Sequence, residues 1–210
     1  MNQNTIPMTE LDLNTSQLHF IVTTLDEEDR PKIESHLLRL SKEDRYLRFF
    51  AALGDSQVKH YASTINLQKG KAFGVITLPE RKLVALAHIS EIEKSDSRII
   101  AEMGISVDAD VRVQGLGRRL MDRAVTYCQT HGINTLFMSC LRENKVMQKL
   151  AKDFDLRIVL DAGEAMAELD LDPLDKMKAM PKEMLYQQIS LFDKAFKHNQ
   201  MLIDAVLMLQ

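Results

Sequence analysis

The chain has 210 residues, 45% hydrophobic and 27% charged, which suffices for one sizeable core and a short appendage. Its 27 Lys+Arg against 30 Asp+Glu give a net charge of −3, so no basic field exists to draw nucleic acid by its phosphates. The unbroken apolar runs are only a few residues long, far short of the roughly 20 that cross a bilayer, so no membrane partner is expected.

Residues 1–16 are polar and aperiodic and read as a loose arm. Met1-Asn2-Gln3-Asn4-Thr5 has neither the basic nor the apolar region of a secretory signal, so a cytoplasmic location is expected. Leu18–Thr24 is rich in β-branched and aromatic residues and predicts a strand. Asp26, Glu27 and Glu28 suit a helix start, and Leu37, Leu38 and Leu40 lie on the apolar side of that helix. Ser41, followed by Asp44 three positions on, resembles a capping box. It opens a second helix carrying Tyr46, Leu47, Phe49, Phe50 and Leu53 and stopping at Gly54. Asp55–Asn66 predicts a third.

Lys71–Thr77 and Leu83–Ile89 predict an antiparallel hairpin across the turn Pro79-Glu80-Arg81-Lys82. Arg98–Val107 follows as a strand with Ile99, Ala101, Met103, Ile105 and Val107 on one face and Glu102, Gly104 and Ser106 on the other. A glycine-containing turn leads into a helix over Gly115–Thr130, and Gly132 ends it. Asn134–Cys140, Arg157–Leu160 and Glu164–Leu171 predict strands, with a helix over Asn144–Asp153. The alternation predicts a mixed α/β domain over residues 17–172.

Pro173 and Pro181 punctuate the boundary of an extension over 173–210, helical over Lys182–Leu209. Leu185, Ile189, Phe192, Phe196, Ile203 and Val206 recur in alternating steps of 4 and 3, with Asn199 filling one place, the seam of a coiled coil. It can dock on the domain or pair with a second copy as a homodimer.

The chemistry concentrates between Glu102 and Asn144. Cys128 and Cys140 lack metal or redox spacing and the histidines lack the i, i+4 pairing of a zinc helix, so no metal is expected. The stretch Val111-Arg112-Val113-Gln114-Gly115-Leu116-Gly117-Arg118-Arg119 joins a strand to a helix. Glycines at 115 and 117 let the backbone approach a ligand, and the first amides of the helix have no internal partner, which makes an anion site. Arg118 and Arg119 oppose the helix dipole there, a cost that a bound anion reverses. A dinucleotide fingerprint would need glycine where Leu120 stands, and no Gly-Lys-Ser/Thr follows. The pattern therefore predicts a pyrophosphate held by another fold.

Arg112-x-x-Gly115-x-Gly117, after a strand and opening a helix, resembles the acyl-CoA signature of the GNAT acyltransferases. Asn144, Met147, Leu150 and Ala151 resemble the family's later helix. Leu40-Ser41-x-x-x-Arg45-Tyr46-Leu47-Arg48-Phe49-Phe50 and Ala101-Glu102-Met103 resemble stretches of the Pat-type bacterial protein lysine acetyltransferases. The resemblance covers residues 18–171. It implies a mixed, mostly antiparallel central sheet flanked by helices, whose fourth and fifth strands splay apart. It further implies acetyl-CoA as acyl donor, its pyrophosphate on the amides of Val113, Gln114, Gly115, Leu116, Gly117 and Arg118, with Arg112 lining the turn. The pantetheine arm would pair with Met103, Ile105 and Val107, and Asn144 would fix a turn and touch that arm.

Forming an amide needs a neutral amine, and a solvated lysine near pKa 10.4 is neutral about one time in 10³ at pH 7.4, a deficit of roughly 4 kcal/mol. Glu102, on the polar face of its strand beside Gly104, is the expected general base. The resemblance implies the same, since a glutamate at this strand position is taken as the base in those acetyltransferases. Two departures stand out. The family's tyrosine acid falls on Ala151, leaving thiolate protonation to water, Ser139 or Cys140, and Asp155-Leu156 replaces the usual Gly-Phe. Cys140 has no neighbouring histidine to activate it, and His88 and His131 read as structural or surface residues. The expected activity is acetyl transfer to a primary amine, a protein lysine or a small amine. The contrasting class is a non-catalytic acyl-CoA-binding sensor or scaffold of the same fold.

Overall fold

The computed structural model describes residues 19–207 except 69, 96, 97, 162, 173 and 174, with side chains described up to 201 apart from 92–97 and 161. The arm over 1–16, Leu18 and Pro173 lie outside the described residues.

Strand β1 (His19–Leu25) pairs antiparallel with β2 (Lys71–Leu78), and between them run three helices. The Asp26 side chain accepts from the Glu28 amide at 3.2 Å, capping a short 3-10 turn that leads into α1 (Arg30–Arg39). Helix α2 (Lys42–Phe49) starts on Ser41, whose hydroxyl accepts from the Asp44 amide at 3.0 Å, while the Asp44 carboxylate accepts from that hydroxyl at 2.8 Å. The sequence places the end of this helix at Gly54. It ends instead at Phe49, because Phe50 takes a left-handed φ of 60° and closes the helix with its own amide on Tyr46. Helix α3 (Asp55–Thr64) follows.

The hairpin forms between β2 and β3, which runs on to Ser95 (Leu83–Ser95), six residues beyond the apolar stretch that predicts it. Its polar end continues as strand because it pairs with the start of β4 (Arg98–Val107). Then come α4 (Leu116–Thr130), β5 (Thr135–Leu141), α5 (Lys145–Lys152), β6 (Arg157–Asp161), β7 (Glu164–Asp170) and α6 (Asp175–Leu207). The strand order is β1-β2-β3-β4-β5-β7-β6, and every neighbouring pair is antiparallel except β4–β5. Alternation along the strands makes two cores. Met103, Ile105, Phe73 and Val75 pack with Leu116, Leu120 and Ala124 of α4, and Leu25, Ile76 and Leu86 pack with α1 and α3 on the opposite face. The polar residues of β4, Glu102, Gly104 and Ser106, share the face covered by α1–α3.

Pro181 is not a boundary: α6 begins at Asp175 and carries it inside. Proline removes one helical hydrogen bond there, and docking of the same turns onto the domain outweighs that loss. The docked face is polar. Glu183, Tyr186, Ser190, Asp193 and Lys197 recur at steps of 3 and 4 and turn inward. Arg123 grips Glu183 by both guanidinium nitrogens, at 2.6 and 3.1 Å, with both side chains buried. Asp193 accepts from Thr23 at 3.2 Å and from Arg81 at 2.6 Å, and Lys197 donates to Asp29 at 2.8 Å. Of the seam, Leu185, Phe192 and Phe196 face solvent, at 57%, 77% and 54% exposure. Ile203 and Val206 lie beyond the described side chains.

Candidate functional site

The parallel pairing of β4 with β5 is short. It runs from Ile100↔Thr135 to Glu102↔Phe137 and stops. The Ile99 amide donates to Asn134 Oδ1 at 2.8 Å, and the Asn134 amide to the Ile99 carbonyl at 2.9 Å. The odd residues of β4 therefore direct their main chain toward β5. Past Glu102 the same alternation leaves the N–H and C=O of Met103 and Ile105 facing a gap. At Val107 the gap is bordered by Arg112, whose guanidinium lies 3.4 Å from the Val107 carbonyl.

The strand then bends sharply. The Asp108 amide donates to the Val84 carbonyl at 2.8 Å, and its carboxylate accepts from Arg39 at 2.8 and 3.0 Å. His36 Nδ1 stands 2.8 Å from the other carboxylate oxygen, close but poorly aligned for a hydrogen bond, and His36 Nε2 meets Ser106 Oγ at 2.8 Å. Burial opposes ionisation of Asp108, yet the His36 contact and the Arg39 charge hold its carboxyl below the usual range. Burial pushes the His36 imidazole down in spite of Asp108, so it stays neutral. This cluster fixes where β4 ends and the turn begins.

Within the turn Val113 has φ 60° and Gly115 φ 71°, and Val113 is fully exposed. A β-branched residue in the left-handed region is strained by about 1–2 kcal/mol. The paired left-handed residues roll successive amides outward into an anion-binding nest. The first helical bond is Arg119 N–H to Gly115 O at 3.0 Å, and no acceptor among the described residues takes the amides of Val113, Gln114, Gly115, Leu116, Gly117 or Arg118. A Cβ on Gly117 would meet only Leu150 and Val107, at 3.8 and 3.9 Å, which is ordinary contact. The fold by itself would accept alanine there.

The arginines do not line this nest. Arg112 leaves the turn to pair with Asp44 of α2, Arg118 reaches Asp153 at 3.4 Å and covers Phe154, and Arg119 donates to the Phe20 carbonyl at 3.1 Å. An anion at this turn would meet main-chain amides and the helix dipole, not these guanidinium groups. Asn144 caps α5, its Oδ1 accepting from the Met147 amide at 3.1 Å.

Glu102 stands at the vertex where β4 and β5 part, partly exposed, with no ion pair or hydrogen bond among the described residues. Gly104 follows on the same face with the Arg48 guanidinium lying against it, and His88 is its cross-strand partner. Nothing in the sequence singles out His36 or Asp108, because each acts through a neighbour distant in the chain, and Arg48 stands there only as one residue of the Pat-like stretch over 40–50. Cys140 is buried and burial raises its thiol pKa, which does not suit a nucleophile. Ala151 is wholly buried in α5, far from the character of a proton donor. Asp155 takes φ 59°, the conformation glycine would adopt, and Leu156 is buried, so the departure at 155–156 preserves the turn. Among the described residues no three His, Cys, Asp or Glu cluster as metal ligands.

Residues 32–155 match the acetyltransferase (GNAT) family. The fold is similar to the GNAT domain of Streptomyces lividans PAT, at 19% identity and TM-score 0.61 over 71% of this chain and 89% of that one. It is also similar to an N-acetyltransferase from Staphylococcus aureus Mu50, at 17% identity and TM-score 0.57 over 73% and 99%. A third likeness is to RimL, a ribosomal L7/L12 alpha-N-protein acetyltransferase in complex with coenzyme A, at 14% identity and TM-score 0.56 over 73% and 95%.

Proposed function

The chain belongs to the acetyltransferase (GNAT) family, and on that premise we propose that it moves an acetyl group from acetyl-CoA to a protein lysine, with Glu102 as general base. The observation that carries this reading is the run of six unpartnered amides, Val113–Arg118, continuing directly from the unpaired edge at Met103 and Ile105. Unpaired main-chain donors in an exposed turn suit a diphosphate, and a free strand edge suits the amide-bearing pantetheine arm. Acetyl-CoA supplies the activated acyl group, and the chain binds it, orients it and handles the acceptor proton. Glu102, open to solvent at the vertex of the gap, takes that proton as the amine attacks. With no tyrosine at 151, thiolate departure relies on water, which a leaving group of pKa near 8–9 tolerates. The resemblance of residues 40–50 and 101–103 to the Pat-type protein lysine acetyltransferases supports a protein lysine over a small amine.

Coenzyme A release, measured with acetyl-CoA and a lysine-rich protein mixture, tests the reading. Glu102→Gln should lower turnover about 10²–10⁴-fold with acetyl-CoA affinity kept. Turnover equal to wild type would remove Glu102 from the mechanism, and saturable binding without release would favour the sensor.

The outward face of α6 supports self-association. Met177, Met184, Leu185, Leu191, Phe192, Phe196 and neighbouring methionines are 41–82% exposed. They leave the outer side of α6 largely apolar, the kind of patch that marks an interaction surface. The heptad seam within it matches a second copy of the same helix. The full chain should sediment as a dimer and Phe192→Glu as a monomer, and a monomeric wild type would exclude the pairing.

A further inference from the structure

Arg48 is the exception among the inward-facing arginines. Arg39 holds Asp108 in two hydrogen bonds, Arg45 donates to Asp55 and to three carbonyls, and Arg123 grips Glu183. Among the described residues Arg48 donates only to the Tyr61 hydroxyl, at 3.2 Å from Nη2, with its Cζ 5.9 Å over the Tyr61 ring, and its buried Nε has no partner. No carboxylate pairs with it among the described residues. Its guanidinium lies on the backbone of β4 at Gly104, where a Cβ would meet it at 2.3–2.5 Å. It also stands 5.1 Å over the Phe49 ring. Directly across the ladder, His88 Nε2 is likewise buried and unpartnered. Burial and the Arg48 charge push that imidazole down to about 4, so it adds no positive charge at neutral pH.

A half-buried guanidinium without an anion is costly, since desolvation is not offset by a paired charge. The glycine beneath it preserves the space it occupies. Glu102 lies two residues along the same face, about 7 Å away on the strand. A cation this near Glu102 repels a bare ammonium and favours a substrate that brings its own negative charge.

We propose that Arg48, seated on Gly104 beside His88, is a substrate-reading residue that receives a carboxylate next to the reacting centre. This inference rests on the acyl-transfer reading above and narrows its substrate class. The carboxylate belongs either to the acyl group, as in a dicarboxylic thioester, or to the acceptor, beside its amine. A carboxylate oxygen would accept from the free Arg48 donors.

The test uses the full chain and two panels. Calorimetry compares acetyl-CoA with succinyl-CoA, and turnover with acetyl-CoA compares amines with and without a neighbouring carboxylate: lysine flanked by glutamate or glutamine, and an amino acid or its amide. One panel should show at least a tenfold preference for the carboxylated member, and the panel that does so identifies the source. Arg48→Gln should erase that preference while leaving acetyl-CoA affinity within about threefold. Gly104→Ala, which keeps the charge but displaces the guanidinium, should erase it too. Absence of preference in both panels, or a preference that persists in Arg48→Gln, overturns the proposal. Binding of acetyl-CoA without any carboxylate preference sinks this inference alone. Failure of both thioesters to bind sinks the transfer reading as well.

Discussion

The face that α6 lays on α4 and β1 and the gap beside β4 are both lined by polar groups, which they treat in opposite ways. Beneath α6, Glu183, Asp193 and Lys197 each meet a partner of complementary charge, and Ser190 accepts from the Thr24 amide at 3.1 Å. Beside β4, six amides, a strand edge, a glutamate and a guanidinium stand without such partners among the described residues. A buried polar group that is satisfied holds the fold together. One left open adds little to stability and is available to a substrate.

Mutations should divide along the same line. The largest stability effect is expected at Glu183→Ala, which strands the buried Arg123 guanidinium against Phe73 and Tyr186 and should cost about 3–5 kcal/mol in urea unfolding. Replacing the pair together, Arg123→Met with Glu183→Leu, should restore most of it. A single variant as stable as wild type would mean that α6 is not held by this contact.

Acid should act on the groups that anchor the turn. Burial lowers the pKa of His36 and of His88, so in mildly acidic solution the unfolded chain takes up protons that the folded chain refuses. Stability contributed by these neutral histidines is complete above about pH 6.5 and falls as the pH drops below it, by up to ~1.4 kcal/mol per pH unit for each. Asp108 and Arg39 face His36, and Arg48 faces both rings; of these only Asp108 favours protonation. His36→Gln should remove one share of the slope between pH 7 and 5. A flat profile in the wild type would contradict the neutral assignment.

Gly117→Ala sharpens the comparison from the open side. The helix should gain about 0.5–1 kcal/mol while acetyl-CoA affinity drops roughly tenfold, as the new methyl group occupies the ligand side of the turn. Unchanged affinity would show that no ligand approaches there. The smallest effect is expected at Asp155→Gly, a stability change within about 1 kcal/mol, since aspartate already holds the left-handed turn.

Much of this was legible in the sequence because it depends on neighbours in the chain. The period-two alternation of Arg98–Val107 fixed that strand and its two faces, and Gly115 and Gly117 marked the turn whose amides remain unpaired. The end of α2 was not, because glycine at 54 is the stronger punctuation, yet Phe50 takes the left-handed cap. Nor was the paired status of Arg112, whose partner Asp44 lies on another helix.

The order of apolar and polar residues determined most of the element sequence and the mixed α/β class, Gly115 and Gly117 marked the turn before α4, and the mixed, mostly antiparallel sheet followed from the resemblance to the family. Only the tertiary structure decided that α6 docks by its polar side, that β4 and β5 part at Glu102, and that Arg48 lies on Gly104 with no carboxylate partner among the described residues. Local pattern sets which torsions a segment adopts. Whether a charge is satisfied depends on groups brought together from far along the chain, and no stretch of sequence carries that information by itself.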